Sequence, residues 1–193
     1  MGLNPRSLCR LLAMPKGVVD PDRRDRIARA AIEVVATAGV DGLTHRAAAE
    51  AAGVPLGSTT YHFSSREDLL EAAIEKAKLD WDAFLAEWET GIDRDADLPR
   101  TLAGLVVEMT GPKREQAVVE YELYVAALRR PGLQALSDAW DEALTLTLAR
   151  HTDALTADAL TLAVDGLLLR SLIRGVPLRM DEAEAIFRRI AGD

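Results

Sequence analysis

The side chains best suited to chemistry crowd into one stretch: Thr44-His45-Arg46, then Ser58-Thr59-Thr60-Tyr61-His62, then Arg66. Hydroxyls, imidazoles and guanidinium groups at this density suit hydrogen bonding to phosphate oxygens and base edges. The arrangement does not suit catalysis. The chain carries no Gly-x-Ser-x-Gly elbow, phosphate loop or Gly-rich dinucleotide turn. Its three histidines, His45, His62 and His151, include no pair at the i, i+4 spacing of a helical zinc site. Asp93-x-Asp95-x-Asp97 opens like a calcium loop, but Leu98 stands where the loop needs glycine and Gly104 where it needs glutamate. It reads as a solvated acidic loop. No cofactor is expected.

Elements that would position the polar stretch are legible around it. Leu43 to Phe63 reads as a helix starting at Thr44, a tight turn at Gly53, and a short second helix from about Leu56 to Tyr61, which is a helix-turn-helix. Ala48 and Ala49 are small enough for close helix approach, Val54 plugs the corner and Gly53 supplies the backbone freedom of the turn. Shape alone leaves two readings open, a DNA-binding unit and an ordinary helical hairpin with a polar surface. Before it, Ile27, Ala30, Ala31, Val34, Val35 and Ala38 form one apolar stripe ending at Gly39. After it, Ser64 or Ser65 caps a long helix to Glu89. Helices are then expected over Pro99–Met109, Lys113–Arg129, Leu133–His151, Ala157–Arg174 and Asp181–Ile190. No alternating strand pattern appears. The expected fold class is all-α, a three-helix head (residues 21–66) and a helical body (67–193), with nine or ten helices.

The formal charge of −8 argues against a nucleic-acid partner until it is divided. Residues 1–70 carry nine basic and eight acidic side chains, whereas residues 71–193 carry 14 and 23. Acidity therefore belongs to the body. A single cysteine, Cys9, excludes an intrachain disulfide and a Cys-based zinc site, and fits a cytoplasmic chain. No apolar run approaches the length of a membrane span. Residues 1–20 read as a flexible tail, with Arg10 breaking the apolar run a secretory signal would need and Met14 an alternative start.

The stretch resembles the TetR family of bacterial transcription regulators. The resemblance rests on Ala38-Gly39-Val40, Leu43-Thr44, Ala48-Ala49-Glu50-Ala51-Ala52-Gly53-Val54, Gly57-Ser58, Tyr61-His62-Phe63, Ser64-Ser65-Arg66-Glu67 and Leu69-Leu70, covering about residues 22–75. It implies a double-stranded DNA operator as partner, with contacts from Thr44, His45, Arg46, Ser58, Thr59, Tyr61, His62 and Arg66. Of these, Ser58 and Thr59 are the leading base-edge or phosphate candidates, and Arg66 matches a phosphate-meeting Lys of the family. Pro55 and Leu56 depart from a common Ser/Thr-Lys pattern, and Thr60 stands where an aromatic is common and is expected to be partly buried.

The resemblance further implies a ligand-responsive homodimer, most simply a repressor released by a small-molecule effector. An activator, a regulator without an effector, and a helical enzyme using the same pocket are the alternatives. Six of the nine aromatics fall between residues 81 and 140. Trp81, Phe84, Trp88, Met109, Tyr121, Tyr124 and Trp140 are the expected pocket, with Glu108, Glu120, Glu122 and Arg129 available for polarity. The expected dimer surface is Leu136, Leu144, Leu160, Val164, Leu167, Leu168 and Ile173, with Gly166 permitting close backbone approach.

Overall fold

The first apolar stripe, Ile27, Ala28, Ala30, Ala31, Val34 and Val35, is buried along one side of helix α1 (Arg23–Gly42). The computed structural model describes residues 22–92 and 97–192, so the expected tail and the acidic positions Asp93 and Asp95 lie outside the described residues. Helix α1 is kinked at Gly39, whose φ of 70° and ψ of 171° favour glycine. Helix α2 (His45–Ala51) starts on Thr44, whose hydroxyl accepts from the Ala47 N–H at 3.1 Å. Gly53, at φ 63°, turns the chain into α3 (Leu56–His62). Buried Ala48 and Ala49 let the short helices pack closely.

Helix α4 (Arg66–Thr90) is 25 residues long, ~37 Å at 1.5 Å per residue. Ser65 caps it by accepting from the Asp68 N–H at 3.0 Å, and Asp68 reaches back to the Ser64 N–H at 3.0 Å. These serine hydrogen bonds hold the Asp68 carboxyl down at about 2. The head end of α4 buries Leu69, Leu70 and Ile74 against the α1 stripe, and its far end carries Trp81 and Leu85 into the body.

The body adds α5 (Leu98–Thr110), α6 (Arg114–Ala126), α7 (Gln134–Leu148), α8 (Ala154–Arg174) and α9 (Met180–Ala191). Two 3-10 turns, Ala127–Arg129 and Pro131–Leu133, join α6 to α7. Helix α9 lays Ala183 and Phe187 on α5. Nine α-helices and no strand are present among the described residues, and one apolar core runs through head and body. No helix among them is long and apolar enough to cross a membrane.

Three boundaries differ from the expected ones for local reasons. Helix α6 tightens after Ala126 rather than running to Arg129, because Pro131 cannot continue it. Helix α8 begins at Ala154, since Asp153 accepts from the Leu155 and Thr156 N–H groups at 3.1 Å each. Helix α7 stops at Leu148, and the next turn carries Arg150 and His151 to Glu89 on α4.

That contact clasps the far end of α4. Arg150 donates through Nε and Nη2 to the two Glu89 oxygens at 2.6 Å each, and His151 Nε2 lies 3.1 Å from Oε1. The Arg150 hydrogen bonds hold the Glu89 carboxyl at about 2. A depressed carboxyl pKa contributes stability that is full above the ordinary value near 4.5 and is lost as pH falls towards 2. Glu89→Gln should lower Tm by about 1–4 °C at pH 7, since the Arg150 side of the clasp is open to solvent. The difference between variant and wild type should shrink between pH 4.5 and pH 2 in thermal melts. An equal difference at both ends would refute the clasp as the cause.

Candidate nucleic-acid interface and effector cavity

On α3 the outward side chains are Leu56, Thr60 and Tyr61, the last 84% exposed. His62 is half-buried, its ring edge-on to Tyr61 at 5.1 Å and tilted against buried Phe63 at 6.5 Å. Thr44 and Arg46 stand exposed at the start of α2. Ser58 is half-buried, and its hydroxyl accepts from Arg23 Nη1 at 3.5 Å.

Two of the expected contact residues are engaged within the protein. Thr59 is 0% exposed, and its hydroxyl donates to the Leu56 carbonyl at 2.7 Å and the His45 carbonyl at 3.3 Å. It ties α3 to α2 and offers nothing to a base. Thr60 takes the exposed place instead, its hydroxyl turned back to the Gly57 carbonyl at 3.3 Å. His45 is half-buried, with Nδ1 enclosed and unpartnered among the described residues. Arg66, expected on a phosphate, directs its guanidinium inward. Nε donates to the Leu43 carbonyl at 2.8 Å and Nη2 to the Val40 carbonyl at 2.6 Å. The last carbonyls of a helix lack helical partners; Arg66 supplies one to Leu43 and adds a second to Val40, whose carbonyl also accepts the Leu43 N–H at 3.1 Å.

A second side chain grips the same corner from the body. Glu122 on α6 accepts from the Val40 N–H at 2.6 Å. A Cβ built on Gly39 would come within 2.9 Å of the Glu122 oxygen, so a side chain there would push on this contact in addition to the strain of the positive φ. Val40 is thus held at its N–H by the body and at its carbonyl by the start of α4. A groove of about 500 Å³ opens here between Val40, Glu67, Glu122, Val125, Arg129 and Arg130.

Within the body lies a cavity of about 60 Å³. Helix α4 contributes Trp81, α5 Met109, α6 Glu120, Tyr121 and Tyr124, and α7 Trp140, Asp141 and Leu144. Helix α8 closes it with Thr161, Val164, Asp165 and Leu168. Five of the seven expected residues line it. Phe84 does not: it stacks on Trp81 at 5.4 Å, with the Lys113 ammonium 4.1 Å from its ring centre. Trp88 packs half-buried against the core away from the cavity. Tyr121 and Tyr124 meet edge-on at 6.3 Å, as do Tyr124 and Trp140 at 6.5 Å.

Three carboxylates and no cationic side chain face this aromatic wall. Tyr121 donates its hydroxyl to Asp165 Oδ1 at 2.8 Å. Burial raises the Asp165 carboxyl above its ordinary value, and burial with the nearby Asp165 charge raises the Tyr121 phenol. Burial pushes the Glu120 carboxyl up to about 7. Of the other polar candidates, Glu108 pairs with Lys113 at 2.8 Å, while Glu122 and Arg129 belong to the junction groove.

Most of the residues expected at a dimer surface lie inside the protomer, whereas Gly166 and Ile173 are exposed. Leu144, Leu160, Val164, Leu167 and Leu168 are buried in the protomer's own core, and Leu136 is half-buried. Helix α8 is apolar on two sides, and the chain itself occupies the first. The second carries Leu155, Leu162, Gly166, Leu169 and Ile173 in the open, with Leu162 63% and Leu169 42% exposed. The seven-residue steps from Leu155 to Leu162 to Leu169 were visible in the sequence as a seam at coiled-coil spacing.

Residues 27–73 match the model of bacterial regulatory proteins of the tetR family, and residues 93–193 match the tetracyclin repressor-like C-terminal domain. The chain is 42% identical to the multidrug binding protein EbrR in its complex with ethidium, over 89% of this chain and 99% of that one, with a TM-score of 0.79. A TetR-family structure from Streptomyces coelicolor A3 is also 42% identical, over 88% of this chain and 98% of that one, at a TM-score of 0.77. The HTH-type transcriptional regulator BetI 2 of Chromohalobacter salexigens is 27% identical, over 89% of this chain and 87% of its own length. With the helix-turn-helix of α2 and α3 in place and an all-helical body behind it, the chain belongs to the TetR family of DNA-binding transcription regulators.

Proposed function

We propose that this regulator is a cytoplasmic, non-catalytic homodimeric repressor, released from its operator by a lipophilic aromatic cation. Residues 21–66 form the DNA-binding unit and 67–193 the effector-binding and dimerisation unit. The observation that carries the reading is the cavity wall: four aromatic rings and three carboxylates without a cationic side chain. Ring faces and carboxylates attract a cation together, and Glu120 and Asp165 are half-buried beside the rings. The similar protein EbrR is described in complexes with ethidium, malachite green and proflavin, all aromatic cations.

At about 60 Å³ the cavity is far smaller than the ~300–1,000 Å³ usual for drug-sized ligands, so a ligand must select an expanded state of the body. Helix α6 conveys the expansion. Its residues Glu120 and Tyr121 line the cavity while Glu122 holds the Val40 N–H at the head. Displacing α6 loosens that grip and changes the head spacing that a two-fold operator requires. The outer face of α8 supplies the pairing surface, with a second copy as its occupant.

Tetraphenylphosphonium tests this without intercalating into DNA. It should quench Trp81 and Trp140 fluorescence at micromolar concentration. It should also release the protein from the DNA upstream of its own gene in a gel shift. The neutral triphenylphosphine oxide should do neither. Equal action by the neutral compound, or tight cation binding with unchanged operator affinity, would overturn the reading.

A further inference from the structure

We propose that the cavity takes up its cation in exchange for a proton held on Glu120, so that effector binding tightens as pH rises. The inference rests on the cationic-effector reading above and specifies the chemistry of that site. Glu120, Asp141 and Asp165 approach one small cavity from α6, α7 and α8. Glu120 and Asp165 are half-buried at this wall while Asp141 is exposed, and a carboxylate drawn out of water without a cationic partner is disfavoured in its ionised form.

The donors present do not relieve this. Asp165 receives the Tyr121 hydroxyl at 2.8 Å, and Asp141 receives that of Tyr124. Glu120 receives only the neutral Gln116 side-chain amide, Nε2 to Oε1 at 2.8 Å, one turn back on α6. From α4, Asp80, itself ion-paired with Lys76, adds a negative charge that disfavours ionisation of Glu120. Lys113, the residue just before α6, opposes it, but its ammonium is paired with Glu108 at 2.8 Å and lies over the Phe84 ring. Helix α5 presents uncharged Met109.

The empty cavity therefore holds its proton on Glu120, in agreement with the upward displacement of that carboxyl. A permanent cation against the rings supplies the missing positive charge. The Glu120 O–H bond then breaks, the proton leaves to buffer, and the carboxylate becomes the counter-ion. Charge is conserved, and no other reactant is needed. A proton-exchanging site with a pKa near 7 gives about a tenfold gain in affinity between pH 6 and pH 8.

Tetraphenylphosphonium is the probe, because its charge is the same at every pH. Calorimetric titration of the full chain near pH 6.3, in two buffers of different ionisation enthalpy, should show close to one proton released per cation bound. Glu120→Gln should bind with no release and with a flat affinity between pH 6 and 8, while Asp165→Asn should keep the release. Tight binding without proton release in the wild type overturns the proposal and leaves the cationic reading intact. So does a release that disappears with Asp165→Asn but persists in Glu120→Gln. Absence of cation binding at any pH overturns both. The wild-type pH profile decides the matter alone if a variant fails to fold.

Discussion

Leu162→Glu combined with Leu169→Glu should give a folded monomer that no longer shifts operator DNA. Both leucines are exposed on the protomer, so neither change removes a contact from its core. Light scattering should report a mass near 21 kDa, and circular dichroism should be unchanged. In a symmetric pair the two positions occur twice, and each buried leucine contributes about 1.5–3 kcal/mol. Losing four, and facing charge with charge, should weaken pairing by at least ~10⁴-fold. Operator binding should fall with it, because one head holds one half-site weakly. Leu160→Glu makes the control: it lies on the inward face of the same helix, fully buried, and should unfold the chain. A double variant that remains a dimer would place the interface elsewhere.

The second large effect is expected at the head. Tyr61→Ala with His62→Ala should abolish specific binding while the dimer persists. A hydrogen bond to a charged phosphate is worth about 1.5–3 kcal/mol, and a dimer makes it twice, so the Tyr61 hydroxyl alone accounts for roughly 10²–10⁴ in affinity. Tyr61 is free of the core and its loss should leave Tm unaltered. His62 rests against Phe63, so its loss should cost some stability as well. Gel shifts across a salt series separate the cases. Specific binding should vanish, and the residual binding should keep the steep salt dependence of counterion release. Undiminished affinity in the double variant would refute the contact assignment.

The helical order and the caps were legible because each is a local matter. Thr44 and Ser65 announce helix starts by residue type, and Gly39 and Gly53 mark turns that need positive φ. The phase of α3 was not legible. Seven residues make fewer than two turns, so no stripe is long enough to say whether Thr59 or Thr60 faces inward. The bonds of Arg66 to the end of α1 were not legible, because nothing around it in sequence points to carbonyls more than twenty residues earlier. Glu122 and Val40 are 82 residues apart, and such a pairing leaves no trace in local pattern. The cavity was found through its aromatics, which are rare and conspicuous. Its carboxylates were harder, since an acidic body offers many that point to solvent. On α8 both apolar faces were present in the sequence, and the choice between them depended on which one the chain covers itself.

That two-sided helix bears on how a regulator of this kind can change its effector. Along α8, Thr161, Val164, Asp165 and Leu168 close the cavity, while Leu162, Gly166 and Leu169 between them form the outer seam. A substitution that resizes the cavity from α8 also tilts the seam, so drift there is constrained twice. Tyr124 and Glu120 on α6 and Trp140 on α7 border the same cavity without sharing that seam. They form the adjustable side of the site. Selection for a new effector, in nature or in a library, should therefore accumulate changes on α6 and α7 and leave α8 nearly untouched.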